Sequence, residues 1–140
     1  MRIYAGRTRT PVTQEWREQK KHQLDFAKKI PIETNGTHWP RLTRILLDRL
    51  HKTEKDIDHF FLTQINIQSI YEALDNLGLP HSKSHNVMDR YGYTGSACIP
   101  MALHDAVSQH KLKKGDLVFM LGSGGGLSMA AAALTWDYDT

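Results

Sequence analysis

The sequence predicts an α/β domain in which a mixed, largely parallel sheet is flanked by helices. Helical stretches with an apolar face, at 66–77 and 97–110, alternate with short apolar runs at 59–63 and 117–121. Continuous apolar runs of this length are typical of strands that are covered on both faces. The glycine-rich segment 122–126 is too short for a crossover connection, so we expect the last strand to run antiparallel to the one before it.

Composition favours one ordinary globular domain. The chain has 140 residues, of which 40% are hydrophobic, and this is enough to form a core. The net charge of +3 is small and scattered, which argues against nucleic-acid binding. A single cysteine excludes a disulfide within the chain and fits a reducing compartment. No apolar run has transmembrane length and the N-terminus has no signal-peptide core, so we expect a cytoplasmic protein with no membrane partner.

The N-terminal part of the chain is dominated by charged residues. Residues 1–14 show no clear period. Helix formers at 15–29 then predict a helix that ends at Pro31. Because charged residues prevail in it, we expect this helix to lie on a surface or against a partner chain.

A second helix is predicted after the turn signal Asn35-Gly36. Thr37 or His38 is expected to cap it, with Pro40 in its first turn, where a missing N–H costs little. The apolar stripe of this helix consists of Leu42, Ile45, Leu46 and Leu50.

The middle of the chain gives clearer patterns. The aromatic and apolar run 59–63 predicts a buried strand, and the amphipathic stretch 66–77 predicts a helix. Gly78 occupies the position of a left-handed C-terminal cap, and Pro80 follows it. Residues 84–88 are a second short strand candidate. The predicted helix 66–77 is expected to bury Ile67, Ile70, Tyr71 and Leu74.

The last part of the chain begins with a glycine-containing loop, and Tyr93 lies near its tip. Loops held by a rigid scaffold are where binding and catalysis concentrate. Apolar residues at helical spacing then predict the helix 97–110. The most convincing strand is 117–121, and the glycine turn 122–126 joins it to a strand of small residues at 127–136.

From Trp39 to Trp136 these features resemble the C-terminal half of 3-oxoacyl-acyl-carrier-protein synthase III, a thiolase-fold condensing enzyme. Six motifs in the family's order and separations carry the resemblance, which is poor over 1–38. The resemblance implies the C-terminal half of a thiolase-like fold over 39–140, and a linker or partner-contacting segment over 1–38. The motifs are Asp56-Ile57-Asp58, Gln64-Ile65-Asn66, Leu77-Gly78-Leu79-Pro80, Asp89-Arg90-Tyr91-Gly92 with Ile99-Pro100, Lys114-Gly115-Asp116 and Gly122-Ser123-Gly124-Gly125-Gly126-Leu127.

The resemblance also implies an active site built from two halves. In this family the nucleophilic cysteine lies in the N-terminal half, which this sequence lacks, and the C-terminal half supplies a histidine, an asparagine and a glycine turn. The two side chains hydrogen-bond the thioester carbonyl during decarboxylative condensation, and the turn donates an N–H to the oxyanion. The implied substrates are acyl thioesters of coenzyme A or acyl carrier protein, with no cofactor. The implied partner is an N-terminal synthase half or a second copy of the chain.

Carried onto this sequence, the family's histidine corresponds to Thr63 and its asparagine to Tyr93. Gly125 is expected to supply the oxyanion N–H, and Asn66 and Ser123 to contact the substrate. A threonine hydroxyl cannot act as an imidazole does near neutral pH. Loss of such donors typically costs about 10²–10³ in rate, so ordinary decarboxylative condensation is not expected. The resemblance then allows acyl transfer, or a role as a catalytically silent partner subunit.

Several of these residues also have a purely structural interpretation. Cys98 is interpreted as a packing residue, although its place at the start of a helix is one where thiols can act as nucleophiles. Thr63 and Tyr93 are compatible with core positions, and 122–126 with a structural turn. The eight histidines show no metal-ligand spacing, so no metal site is expected.

Overall fold

A mixed three-stranded sheet organises the C-terminal part of the computed structural model, which describes residues 3–6, 8–25 and 30–139. The strands are β1 (His59–Leu62), β2 (Leu117–Gly124) and β3 (Ser128–Thr135), in the order β1-β2-β3. β1 pairs parallel with β2, and β2 pairs antiparallel with β3. The predicted α/β class and the antiparallel final pair are therefore confirmed.

The helices are α1 (Gln14–Glu18), α2 (Thr34–Leu50), α3 (Ile67–Asn76), α4 (Met88–Tyr91) and α5 (Cys98–Ser108). Contacts divide the chain into two compact units, Met1–Pro31 and Ile32–Thr140. α2 begins at Thr34, within the second unit. The boundary at 38/39 between a linker or partner-contacting segment and the synthase domain stays a prediction. Among the described residues no helix has both the length and the apolar character needed to cross a membrane.

In the first unit, α1 ends long before the predicted limit of 15–29. Thr13 caps its start by accepting from the Trp16 N–H at 3.3 Å. Lys20 adopts a left-handed conformation with φ of 55°, and the Lys21 N–H bonds the Trp16 carbonyl, which closes the helix. The helix buries none of its residues, so no packing supports a longer one. Residues 26–29 lie outside the described part of the chain.

In the second unit, α2 starts before the predicted caps Thr37 and His38, and Pro40 lies inside it. Proline has no N–H to offer the carbonyl of Gly36, four residues earlier. The side-chain amide of Asn76, at the end of α3, donates to that carbonyl at 3.1 Å instead. A donor from α3 therefore lets the helix continue through Pro40.

The inward face of α2 also differs from the predicted stripe. Trp39, Thr43 and Leu47 are buried, whereas Ile45 and Leu50 are exposed. Leu42 and Leu46 are partly buried against the core. The helix turns this face inward because it packs on both α3 and the sheet.

The helix predicted at 66–77 is confirmed by α3, both in its position and in the face that it buries. Ile70 and Leu74 are fully buried, and Ile67 and Tyr71 pack against the same core. Gly78 has φ of 68°, and the amides that follow α3 return to Leu74 and Asp75, as in a Schellman cap.

The predicted strand at 84–88 is wrong. Ser84 forms one isolated parallel bridge with Phe60, and α4 begins at Met88. The backbone groups that would extend the ladder are used by a side chain, because Gln64 bonds both the His85 carbonyl and the Val87 N–H.

The hairpin and α5 complete the unit. One 3₁₀ turn at Gly95–Ala97 leads into α5, close to the predicted 97–110. Gly124 pairs with Ser128, so the predicted glycine turn 122–126 is half strand and the turn itself is 125–127. The helices α2 and α3 cover one face of β1 and β2, and α5 covers the other. This two-sided cover explains the continuous apolar runs of these strands.

Candidate active site

A cleft opens where β1 and β2 end and the loop before α5 passes. Its volume is about 450 Å³. Parallel strands bring their carboxyl ends to one edge of a sheet, so residues 63 and 122–124 meet there. The cleft is lined by Thr63, Tyr93, Gly95, Ser96, Cys98, Ile99, Gly122, Ser123, Gly124, Ser128, Met129 and Ala130.

Thr63 directly follows β1 and is almost fully buried, at 6% exposure. Its N–H continues the ladder by donating to the Leu121 carbonyl at 3.0 Å. Its Oγ1 accepts the N–H of Ser123 at 2.9 Å. The hydroxyl proton of Thr63 therefore remains available for an acceptor in the cleft, such as a carbonyl oxygen.

Ser123 lines the cleft, and its hydroxyl is engaged by α2. Ser123 Oγ accepts from the indole Nε1–H of Trp39 at 2.9 Å and donates to Asn35 Oδ1 at 2.8 Å. The hydroxyl of Ser123 thus has two partners inside the protein, and the predicted contact of Ser123 with substrate stays a prediction.

Tyr93 lies on the loop between α4 and the turn at Gly95–Ala97, and half of its surface is exposed. Gly92 and Gly95 bracket it with φ of 65° and 63°, a region that glycine enters without strain. The structure therefore brings Thr63, Tyr93 and Ser123 together at one cleft.

Two other predicted site residues are not among those lining the cleft. Gly125 follows Gly124 in the exposed hairpin turn. Asn66 caps α3, since its side-chain oxygen accepts the Gln68 N–H at 3.0 Å. The oxyanion role of Gly125 and the substrate role of Asn66 stay predictions.

Cys98 is the first residue of α5 and is 2% exposed. Its Sγ accepts the backbone N–H of Gln64 at 3.4 Å. This burial is what the packing interpretation expects. Among the described residues no group of three or more His, Cys, Asp or Glu side chains is placed to hold a metal ion.

Gln64 positions the cleft in a way that the sequence analysis missed. It is completely buried, its Nε2 donates to the His85 carbonyl at 3.0 Å, and its Oε1 accepts the Val87 N–H at 2.9 Å. It thereby fixes the segment that leads to the Tyr93 loop. The sequence signal that could have indicated this role is the polar residue at the start of the Gln64-Ile65-Asn66 motif, directly after a predicted buried strand. Asn35 and Trp39 were also missed as site residues.

Asp105 of α5 holds the same segment from the other side. Its Oδ2 accepts from Arg90 at 2.5 Å, His85 Nε2 at 2.6 Å and Gln109 Nε2 at 2.7 Å. Lys111 Nζ lies 3.2 Å from His85 Nδ1 and donates to it. The hydrogen bonds from Arg90 first and His85 second lower the pKa of the Asp105 carboxyl, against a smaller opposing effect of burial. The pKa of Arg90 is raised mainly by the same bond.

Comparison with known proteins identifies the family. Residues 47–136 match the family described as 3-oxoacyl-[acyl-carrier-protein (ACP)] synthase III C terminal. The chain belongs to this family. The resemblance drawn from the six motifs is therefore confirmed.

Curated synthase III proteins are longer than this chain. The beta-ketoacyl-[acyl-carrier-protein] synthase III of Solibacter usitatus is 30% identical over 138 residues, which cover 99% of this chain and 42% of that protein. The synthase III 2 of Deinococcus radiodurans is 46% identical over 85 residues, which cover 61% of this chain and 25% of that protein. The chain thus spans well under half the length of these relatives. The first alignment also reaches into 1–38, where the motifs had indicated poor similarity.

Solved synthase III structures share the fold. The enzyme of Pseudomonas aeruginosa PAO1 has a TM-score of 0.79 at 26% identity, covering 91% of this chain and 40% of that one. The enzyme of Thermus thermophilus has a TM-score of 0.68 at 34% identity, covering 77% of this chain and 35% of that one. The predicted class, a C-terminal thiolase-like α/β half with a mixed sheet, is confirmed.

Proposed function

We propose that this chain is the C-terminal part of a synthase III-like acyltransferase that acts on acyl thioesters of coenzyme A or acyl carrier protein in the cytoplasm. The nucleophilic cysteine is supplied by an N-terminal half. One observation carries the proposal: the residues at the family's histidine and asparagine positions, Thr63 and Tyr93, meet the hairpin residues Gly122 and Gly124 at one cleft. The names of two relatives, both beta-ketoacyl-[acyl-carrier-protein] synthases III, support a substrate carried on acyl carrier protein.

The chemistry follows from what this chain offers. In the acylation step the cysteine thiolate of the other half attacks the thioester carbonyl, a new C–S bond forms, and the thiolate of coenzyme A or carrier protein leaves. The Thr63 hydroxyl and a hairpin amide, from Gly124 or Gly125, donate to the carbonyl oxygen while it carries negative charge. No imidazole stands at position 63 to support decarboxylation, so acyl transfer is favoured over condensation.

A second candidate function is a catalytically silent subunit that pairs with a synthase half. It is favoured by the engagement of the Ser123 hydroxyl with α2 and by the substitutions at 63 and 93. Detection of a bound acyl thioester in the cleft separates the two candidates.

A titration of the isotope-labelled chain with acetyl-CoA tests the acyltransferase proposal. Amide resonances of Thr63, Gly122 and Gly124 are expected to shift, and Thr63→Val is expected to weaken binding about five- to tenfold by removing one donor. The intact mass should stay unchanged, because the buried Cys98 is not the nucleophile; Cys98→Ser is the control. Shifts confined to another surface, or one acetyl adduct that Cys98→Ser abolishes, would contradict the proposal.

Partner binding is the second part of the proposal. The outer edge of β3 has no strand beside it among the described residues, and its outward-facing residues Ala130, Ala132 and Leu134 are exposed. Such an edge presents unpaired backbone groups to another chain. In the absence of an N-terminal half, we expect a homodimer.

Light scattering after size exclusion measures this. The chain should elute as a dimer at high micromolar concentration, and Ala132→Asp on β3 should shift it toward monomer. Thr135→Asp, at the exposed end of the same strand, is the control and should weaken the dimer less than Ala132→Asp does. A monomer at every concentration up to the high micromolar range would refute the expected dimer.

A further inference from the structure

We infer that Asn35 and Trp39 of α2 are positioning residues for the cleft, acting through Ser123 on Thr63. This inference rests on the proposed function, and it adds a coupling between α2 and the hydrogen-bonding capacity of the cleft. Three hydrogen bonds link the four residues through Ser123. Its hydroxyl bonds Trp39 and Asn35 of the helix, and its backbone N–H bonds Thr63 at the end of β1. We call this set of hydrogen bonds the serine relay.

The direction of each hydrogen bond in the serine relay is fixed by chemistry. An indole N–H can only donate, so Ser123 Oγ must accept from Trp39. The single hydroxyl proton of Ser123 then goes to Asn35 Oδ1, 2.8 Å away. Trp39 is 1% exposed, so one end of the relay is anchored in the core.

The second consequence concerns the Ser123 backbone. With its side chain held from α2, Ser123 directs its N–H to Thr63 Oγ1 at 2.9 Å. That amide is engaged inside the protein, so Ser123 does not offer its N–H to an oxyanion in the cleft. Thr63 Oγ1 uses one of its two lone pairs to accept this hydrogen bond, and its hydroxyl proton can be donated to a ligand.

With the serine relay in place, the Thr63 hydroxyl can act as a hydrogen-bond donor in the cleft. It suits a ligand carbonyl oxygen, and it provides no base that could take a proton from a ligand at position 63. Replacing Ser123 by a residue without a hydroxyl would release Asn35 and Trp39 and loosen the hairpin end on Thr63.

Amide hydrogen exchange of Ser123, followed by NMR without any ligand, tests the relay. Thr63→Val should lower the protection of the Ser123 amide about tenfold, and Thr63→Ser should retain it, because only the serine keeps an acceptor. Asn35→Ala and Trp39→Phe should each lower Ser123 protection several-fold, beyond any change at the core amide of Phe119. Thr37→Ala, on the exposed side of α2, should leave it unchanged.

The outcomes separate the two proposals. If Thr63→Val removes the protection of Ser123 but both α2 variants leave it intact, then α2 does not position Thr63 and the inference is overturned. If all three variants lower it, the relay is established whether or not acetyl-CoA binds. Failure of acetyl-CoA binding alone would count against the proposed function and not against the relay.

Discussion

Replacing Gln64 by leucine is expected to lower the free energy of unfolding by about 2–4 kcal/mol. Gln64 is fully buried and satisfies two backbone groups, the Val87 N–H and the His85 carbonyl. Leucine fills a similar volume but leaves both groups buried and unpaired, and each costs about 1–3 kcal/mol. Urea denaturation monitored by tryptophan fluorescence measures the loss.

The matched control is the same substitution on an exposed surface. Gln68 lies in the first turn of α3 and is exposed, so Gln68→Leu should change stability by less than about 0.5 kcal/mol. A loss below about 1 kcal/mol in Gln64→Leu would show that water or a rearranged backbone replaces both hydrogen bonds. Amide exchange at Val87 would then stay slow, whereas we expect it to accelerate.

Asp105→Asn is expected to destabilise the protein by about 1–2 kcal/mol at pH 7 and to change its response to acid. The carboxylate is 14% exposed and accepts hydrogen bonds from Arg90, His85 and Gln109. Its pKa is lowered, chiefly by Arg90, so this contribution is fully present above the unfolded value of about 3.9. The contribution disappears as the pH falls through the lower folded pKa.

Unfolding curves collected from pH 7 down to pH 2 measure this effect. The wild type should lose stability below about pH 4, and Asp105→Asn should show a smaller loss over the same range. Asp75→Asn is the control, because Asp75 pairs with His81 on the surface at 67% exposure and should contribute little. Parallel acid profiles for the wild type and Asp105→Asn would contradict the assigned role.

Local sequence patterns correctly predicted the elements whose type and ends are set by residues close together in the chain. The helix at 66–77 and its cap at Gly78 follow from apolar periodicity and from a glycine in the left-handed region. The antiparallel pair β2–β3 follows from a connection too short for a crossover. The order of the motifs also predicted Thr63 and Tyr93 as residues of one site, and both line the same cleft.

Two of the wrong predictions have the same physical cause, which is a side chain from a distant element. Asn76 supplies the donor that lets α2 pass through Pro40, so the helix starts before Thr37. Gln64 occupies the backbone groups of His85 and Val87, so 84–88 does not form a strand. Neither partner is visible from the pattern of the segment itself.

By itself the sequence determined the α/β class, the family, and the residues that stand at the family's polar positions, because these depend on local periodicity and on motif order. The tertiary structure alone decided what those residues can do. Ser123 meets Trp39 and Asn35 across 84 and 88 positions of the chain, and its amide occupies Thr63. Hydrogen bonds between residues so far apart are set by packing of the helix on the sheet, so no local pattern predicts which donors remain free in the cleft.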